Sequence, residues 1–233
     1  VWWARPSDAR PWHAGVLSDA ERRRRAALER RVDRDRFSVA CTVARLVLAE
    51  RLSLAPAAVP LDAITGTPRQ RPGRAGPWVS VAHAGTRVAV AVCADAPVGV
   101  EIAPLREDLD LDGIARMALS PAESTRIELL DPDLRAGALL ALWTRKSAVL
   151  KATGVPLSVS PALVAAAGDR AIVPGERHPA SVVGLHPGPG HVAALAVLGP
   201  PPIEVVERDA GPRLTGGQAA THGDRPGADP ALV

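Results

Sequence analysis

A few side chains in this sequence are of the types that handle phosphates and metal ions. Glu101 stands in the run "VGVEIAP", residues 98–104, between Val100 and Ile102. On a strand, residues i and i+2 share a face, so two acids at that spacing could grip a divalent cation. Here the second position is Ala103, which leaves Glu101 alone. A buried carboxylate without a partner is costly, so it calls for a cation or a raised pKa. Lys146, Lys151 and His83 are its candidate partners. The run "ERRRRAALERRVDRDR" packs eight Arg into residues 22–36. Guanidinium forks suit phosphate through paired hydrogen bonds, and the run reads equally as an anion site or as a solvated helix face. Of the 28 Lys and Arg residues only two are lysine, Lys146 and Lys151, both inside "LWTRKSAVLK". In a chain that otherwise uses Arg, a lysine hints at a need for a compact ammonium. His83, at the end of "VSVAH", is read with even weight as a hydrogen-bonded structural histidine or as a site residue.

These residues need elements to hold them. Ser18 and Glu21 form a capping box that starts a helix at "LSDAE". A second helical pattern follows, with Phe37, Ala40, Cys41, Ala44, Val47 and Leu48 on one face. Residues 66–77 read as loop, and "WVSVA", "RVAVAVC" and "VGVEI" as strands. A helix is expected near 110–118. Another starts after Ser120 with Pro121 and Glu123, and a long one runs from about Asp133 to Thr153, stopped by Gly154. Strand runs return at "RAIV", "SVVGL" and "HVAALAV". Helices followed by a meander, twice over, predict an α+β protein of two similar halves, residues 1–100 and 101–206. Residues 207–233, rich in Gly, Pro and polar side chains, read as a disordered tail.

Composition bounds the function class. With 233 residues and 47% hydrophobic content the chain can bury one large core or two smaller ones, and its net charge is +3. No apolar run approaches the roughly 18 residues that span a bilayer, so no membrane partner is expected. The start "VWWARP" lacks a basic segment followed by an apolar one, and a cytoplasmic chain is expected. Two cysteines, Cys41 and Cys93, read as reduced core thiols. Nothing resembling a zinc finger or an aromatic RNA-binding strand accompanies the Arg run, which argues against nucleic acid.

The order of these features, from "DRFSVACTVAR" through "GTP", "VSVAHAG" and "VGVEIAP" to "LWTRKSAVLK", resembles the larger, pseudo-dimeric 4′-phosphopantetheinyl transferases over residues from about 2 to 198. That family moves the phosphopantetheine arm of coenzyme A to a serine of an acyl or peptidyl carrier protein. The resemblance implies a pseudo-dimer of two α/β halves, a carrier-protein partner and coenzyme A as substrate, with magnesium as a possible ion. It implies that Arg24, Arg36, Thr67, Arg69, His83, Lys146, Ser147 and Lys151 line the coenzyme A site, that Glu101 faces the metal, and that Glu101, His83 and Lys151 serve the reaction. The sequence also departs from the pattern. The family strand Gly-x-Asp-x-Glu becomes Gly99, Val100, Glu101, Ile102, Ala103, and the helix position after Lys146, where the family has Glu, is Ser147. One of three expected carboxylates remains, and Ser147 cannot act as a base near neutral pH. The implied reading is a transferase-like enzyme with weakened or altered transfer. A magnesium-independent biosynthetic enzyme using the same cleft, or an inactive carrier-binding relative, stands as the alternative.

Overall fold

Ser18 Oγ accepts the Glu21 N–H while the Glu21 carboxylate takes the Ser18 N–H, and this reciprocal cap launches a helix. The computed structural model describes residues 1–61, 77–106, 108–155, 161–174 and 179–216. Strand β1 (Trp2–Ala4) leads to α1 (His13–Val16), α2 (Asp19–Ala26) and α3 (Arg31–Leu52), followed by β2 (Trp78–Ala84), β3 (Arg87–Cys93) and β4 (Val98–Pro104). Then come α4 (Leu111–Ala118), α5 (Pro121–Glu128) and α6 (Pro132–Thr153), the meander β5 (Ala165–Ala167), β6 (Arg170–Ile172), β7 (Ala180–Leu185) and β8 (His191–Leu198), and finally β9 (Arg208–Asp209) and α7 (Gly211–Thr215).

The fold is α+β, with two sheets. One has the order β2-β3-β1-β9 and the other β4-β8-β7-β6-β5. Each carries a 22-residue helix on one face: α3 on the first sheet, α6 on the second. Strand periodicity then divides the core. Val88 and Val90 pack under α3, while Ala89 and Ala91 turn the other way. Likewise Ala194 and Ala196 pack under α6, while Ala193 and Leu195 turn away. The outward sets meet in a third core with Trp3, Val98, Val100 and Ile102, and this joins the halves. Because Val100 and Ile102 go to that core, Gly99, Glu101 and Ala103 must face α6.

The halves echo each other in a way the sequence hides. In the first, the capping glutamate Glu21 pairs with buried Arg45 on α3, Oε2 to Nη2 at 2.9 Å. In the second, Ser120 and Glu123 form the same capping box, and Glu123 Oε2 pairs with buried Lys146 on α6 at 2.6 Å. Both long helices end on a left-handed residue, Ser53 at φ 55° and Gly154 at φ 71°.

Some expectations change. On α3 the buried face is Val39, Ala40, Val43, Ala44, Val47 and Leu48; Phe37 and Cys41 sit only half-buried at its margin. The cut at residue 100 falls inside β4, which belongs wholly to the second sheet. The expected disordered tail is corrected over its first ten residues. β9 pairs in parallel with β1, Ala210 and Leu214 are buried, and Glu207 accepts from Trp3 Nε1 at 2.7 Å. Apolar content there is low, but a few well-placed contacts suffice when the partner surface is already formed. Residues 217–233 lie outside the described residues.

Candidate functional site

Where β2 passes β4, the two halves touch through side chains rather than a strand ladder. The Val100 N–H donates to Ser80 Oγ at 3.1 Å. Lys151, near the end of α6, reaches into the same seam. Its Nζ donates to Val100 O at 3.0 Å and Val81 O at 3.3 Å, and lies 3.1 Å from Glu101 Oε2. Three oxygens drawn from both sheets thus surround the ammonium. The other carboxylate oxygen, Glu101 Oε1, accepts the Ile102 N–H at 3.1 Å.

This placement depends on Gly99. A Cβ there would lie 2.0 Å from the Ala148 carbonyl oxygen and 2.6 Å from the Ala152 nitrogen, so only glycine lets α6 come this close to β4. That approach carries Lys151 to the strand. Sequence reading took Gly99 as a motif letter and missed its packing role.

The rest of the cluster gathers at the β2–β3 turn. Arg36, from α3, donates through Nη1 to Asp33 Oδ1 at 2.7 Å and through Nη2 to Gly85 O at 2.6 Å. His83 precedes that turn on the exposed rim. Partial burial lowers the pKa of His83, and the positive charges of Arg36 and Lys151 lower it further against the opposing pull of Asp33 and Glu101. The ring is therefore neutral at pH 7. Arg36, His83, Lys151 and Glu101 thus form one electrostatic neighbourhood. His191, from β8, packs against Gly85 from the second half; its Nε2 and the Nε of Arg36 are buried without hydrogen-bond partners among the described residues. Nothing in the motif spacing pointed to His191.

Other expected site residues fall elsewhere. Lys146 is fully buried, held by Glu123 Oε2 and by Ala118 O at 2.9 Å, which removes it from the nucleotide site. Its compact ammonium serves the packing of α6 against α5. Desolvation pushes Glu123 up, but hydrogen bonds from Lys146 and Ser120 outweigh it and hold its carboxyl below the ordinary range. Ser147 is buried one turn before Lys151. Arg24 is exposed, with its guanidinium carbon 5.6 Å from the Phe37 ring centre. Much of the remaining Arg run braces its own helices: Arg25 Nε donates to Ser38 Oγ at 2.7 Å, and Arg34 Nη1 to Leu28 O at 2.8 Å. Thr67 and Arg69 lie outside the described residues. A separate cavity of about 700 Å³, lined by Trp2, Arg51, Cys93 and Arg208 among others, contains none of the cluster.

Magnesium wants six oxygens at about 2.1 Å. Here Glu101 offers one carboxylate, both of whose oxygens already have partners, with a lysine ammonium against it. Ala103 and Ser147 supply no carboxylate. Among the described residues no three His, Cys, Asp or Glu side chains come together as a metal site. The donor set does not fit the ion. No described helix is long and apolar enough to cross a membrane.

Part of the chain is similar to known proteins. Residues 97–179, from just before β4 to just before β7, match the family described as the 4′-phosphopantetheinyl transferase superfamily. A Synechocystis sp. protein (strain ATCC 27184 / PCC 6803 / Kazusa), named provisionally as a 4′-phosphopantetheinyl transferase, is 28% identical over 163 residues, or 67% of this chain. The match spans 65% of that relative, somewhat less than two thirds of its length.

Proposed function

Since residues 97–179 match the 4′-phosphopantetheinyl transferase superfamily, we propose that this chain is a member that binds coenzyme A at the β2–β4 seam and engages an acyl or peptidyl carrier protein, with transfer to the carrier serine weakened or altered. The observation that carries this reading is the convergence of Arg36, His83 and Lys151, drawn from α3, β2 and α6, around one seam. A nucleotide bearing several negative charges needs converging cations, here Arg36 and Lys151, and the neutral His83 imidazole adds a hydrogen-bonding group. The orphaned Nε of Arg36 supplies a further donor. In the transfer, the serine oxygen forms a bond to the phosphorus of the phosphopantetheine arm, the pyrophosphate bond breaks, and 3′,5′-ADP leaves. The serine proton needs an acceptor, a role this reading gives to the neutral imidazole of His83.

The pairing of Glu101 with Lys151 favours a second reading, a repurposed enzyme that acts on a carrier-bound or free intermediate without magnesium. One experiment separates them. The protein is incubated with coenzyme A and an apo carrier protein, and the carrier is weighed by intact mass spectrometry. A carrier heavier by one phosphopantetheine arm supports transfer, and His83→Ala should slow it about 100-fold. An unmodified carrier at stoichiometric enzyme rejects transfer, and coenzyme A titration then decides whether the nucleotide pocket persists.

A further inference from the structure

The mismatch between the expected ion and the donors present has its own explanation in Lys151. We propose that the Lys151 ammonium is the resident cation of this cleft, so that phosphate groups bind there without a divalent metal. The inference rests on the coenzyme A reading above for its ligand, but its claim about the cation can be tested separately.

Three observations carry it. First, the ammonium sits among Glu101 Oε2, Val100 O and Val81 O at 3.0–3.3 Å, an arrangement of oxygens that would otherwise suit an external cation. Two of its donors go to the Val100 and Val81 carbonyls, and the Glu101 carboxylate pairs with its charge. Second, both Glu101 oxygens are engaged, Oε2 with the lysine and Oε1 with the Ile102 N–H. A divalent ion at this carboxylate would face the lysine charge at close range. Third, the tight packing of Gly99 on α6 sets the Lys151 Cβ against the strand, so its side chain starts within reach of the seam. Lys151 is 25% exposed in its side chain, which leaves one side open toward an incoming anion. The geometry also explains why this position keeps lysine in an Arg-rich chain. A planar guanidinium spreads its charge and donors over a fixed fork, so it cannot set one compact charge among these three oxygens.

The test is a pair of titrations on the full chain. Coenzyme A affinity is measured by calorimetry in excess EDTA and in millimolar magnesium. The wild type should give dissociation constants equal within about twofold. Lys151→Met should bind at least tenfold more weakly in EDTA and recover part of that loss with magnesium; Lys151→Arg should behave like Lys151→Met. Magnesium that tightens wild-type binding tenfold overturns the proposal while leaving the coenzyme A reading intact. So does Lys151→Met that binds as the wild type does. Manganese titration of the free protein, followed by electron paramagnetic resonance, needs no coenzyme A. The proposal requires no bound ion in the wild type and a gained site in Lys151→Met, with folding checked by circular dichroism. Manganese bound by the wild type, or by neither protein, rejects it. If coenzyme A binds under no condition, the functional reading falls and the manganese arm alone decides the cation.

Discussion

At the level of single residues, Gly99 and His83 carry the most testable consequences. Gly99→Ala would place a methyl group within 2.0 Å of the Ala148 oxygen, and relief requires α6 to shift from β4. We expect a loss of about 3 kcal/mol or more in urea unfolding, together with weakened coenzyme A binding as Lys151 moves. An alanine variant as stable as the wild type would show that the helix and strand are not in this register. His83 should titrate below the ordinary histidine value of about 6.5, because burial and the charges of Arg36 and Lys151 oppose its protonation. Removing one of those charges in Lys151→Met should move its NMR midpoint upward. No movement would separate His83 from the cluster.

At the level of elements, the two capping boxes do more than start helices. Glu123 ties α5 to Lys146 on α6, just as Glu21 ties α2 to Arg45 on α3. Removing one partner of a buried pair strands the other charge, which costs about 3–5 kcal/mol. Lys146→Met and Glu123→Leu should each show a loss of that size, while the double variant recovers most of it. Purely additive losses would mean that the two groups do not interact. The pair also has a pH signature. The folded Glu123 pKa lies below its ordinary value, so its contribution is complete above that value and is lost as pH falls through the folded pKa. His13, buried beneath α7, acts in the same direction at higher pH. Burial chiefly lowers its pKa, so the unfolded chain takes up protons first and stability declines as pH drops below about 6.5. Denaturation midpoints between pH 7.5 and 5.5 should fall, and His13→Gln should flatten that slope.

For the molecule as a whole, the joint between halves matters most. The two sheets share a core but no strand ladder among the described residues, so their relative position rests on side-chain packing and on Lys151 and Ser80. The segment after Val206 adds a strap. Arg208 N–H donates to Val1 O at 2.9 Å, Ala210 N–H to Trp3 O at 2.7 Å, and Leu214 is fully buried. Glu207 meanwhile joins Trp3 to His186. A variant ending at Val206 should unfold at lower temperature, with about 3 kcal/mol or more lost, since burying one leucine alone contributes about 1.5–3 kcal/mol. An unchanged melting temperature would rule out the strap.

Local rules in the sequence determined the caps at Ser18 and Ser120, the stop at Gly154, the strand alternation of β2, β3, β7 and β8, and hence the order of elements. These depend on neighbours a few residues apart, and their physics is complete within the window that contains them. The strand β1 was not legible, because three residues carry too little periodicity to distinguish them from loop. Only the tertiary structure decided between two lysines of the same helix. Lys146 and Lys151 are five residues apart, an angular step that sends one into the interior against Glu123 and the other to the seam against Glu101. It also decided that Arg45, unremarked in the sequence, would be a buried partner while much of the Arg run braced its own helices. Which charges meet depends on how closely α6 approaches β4. That distance is set by a glycine on one element and a backbone on another, a relation visible only once both are in place.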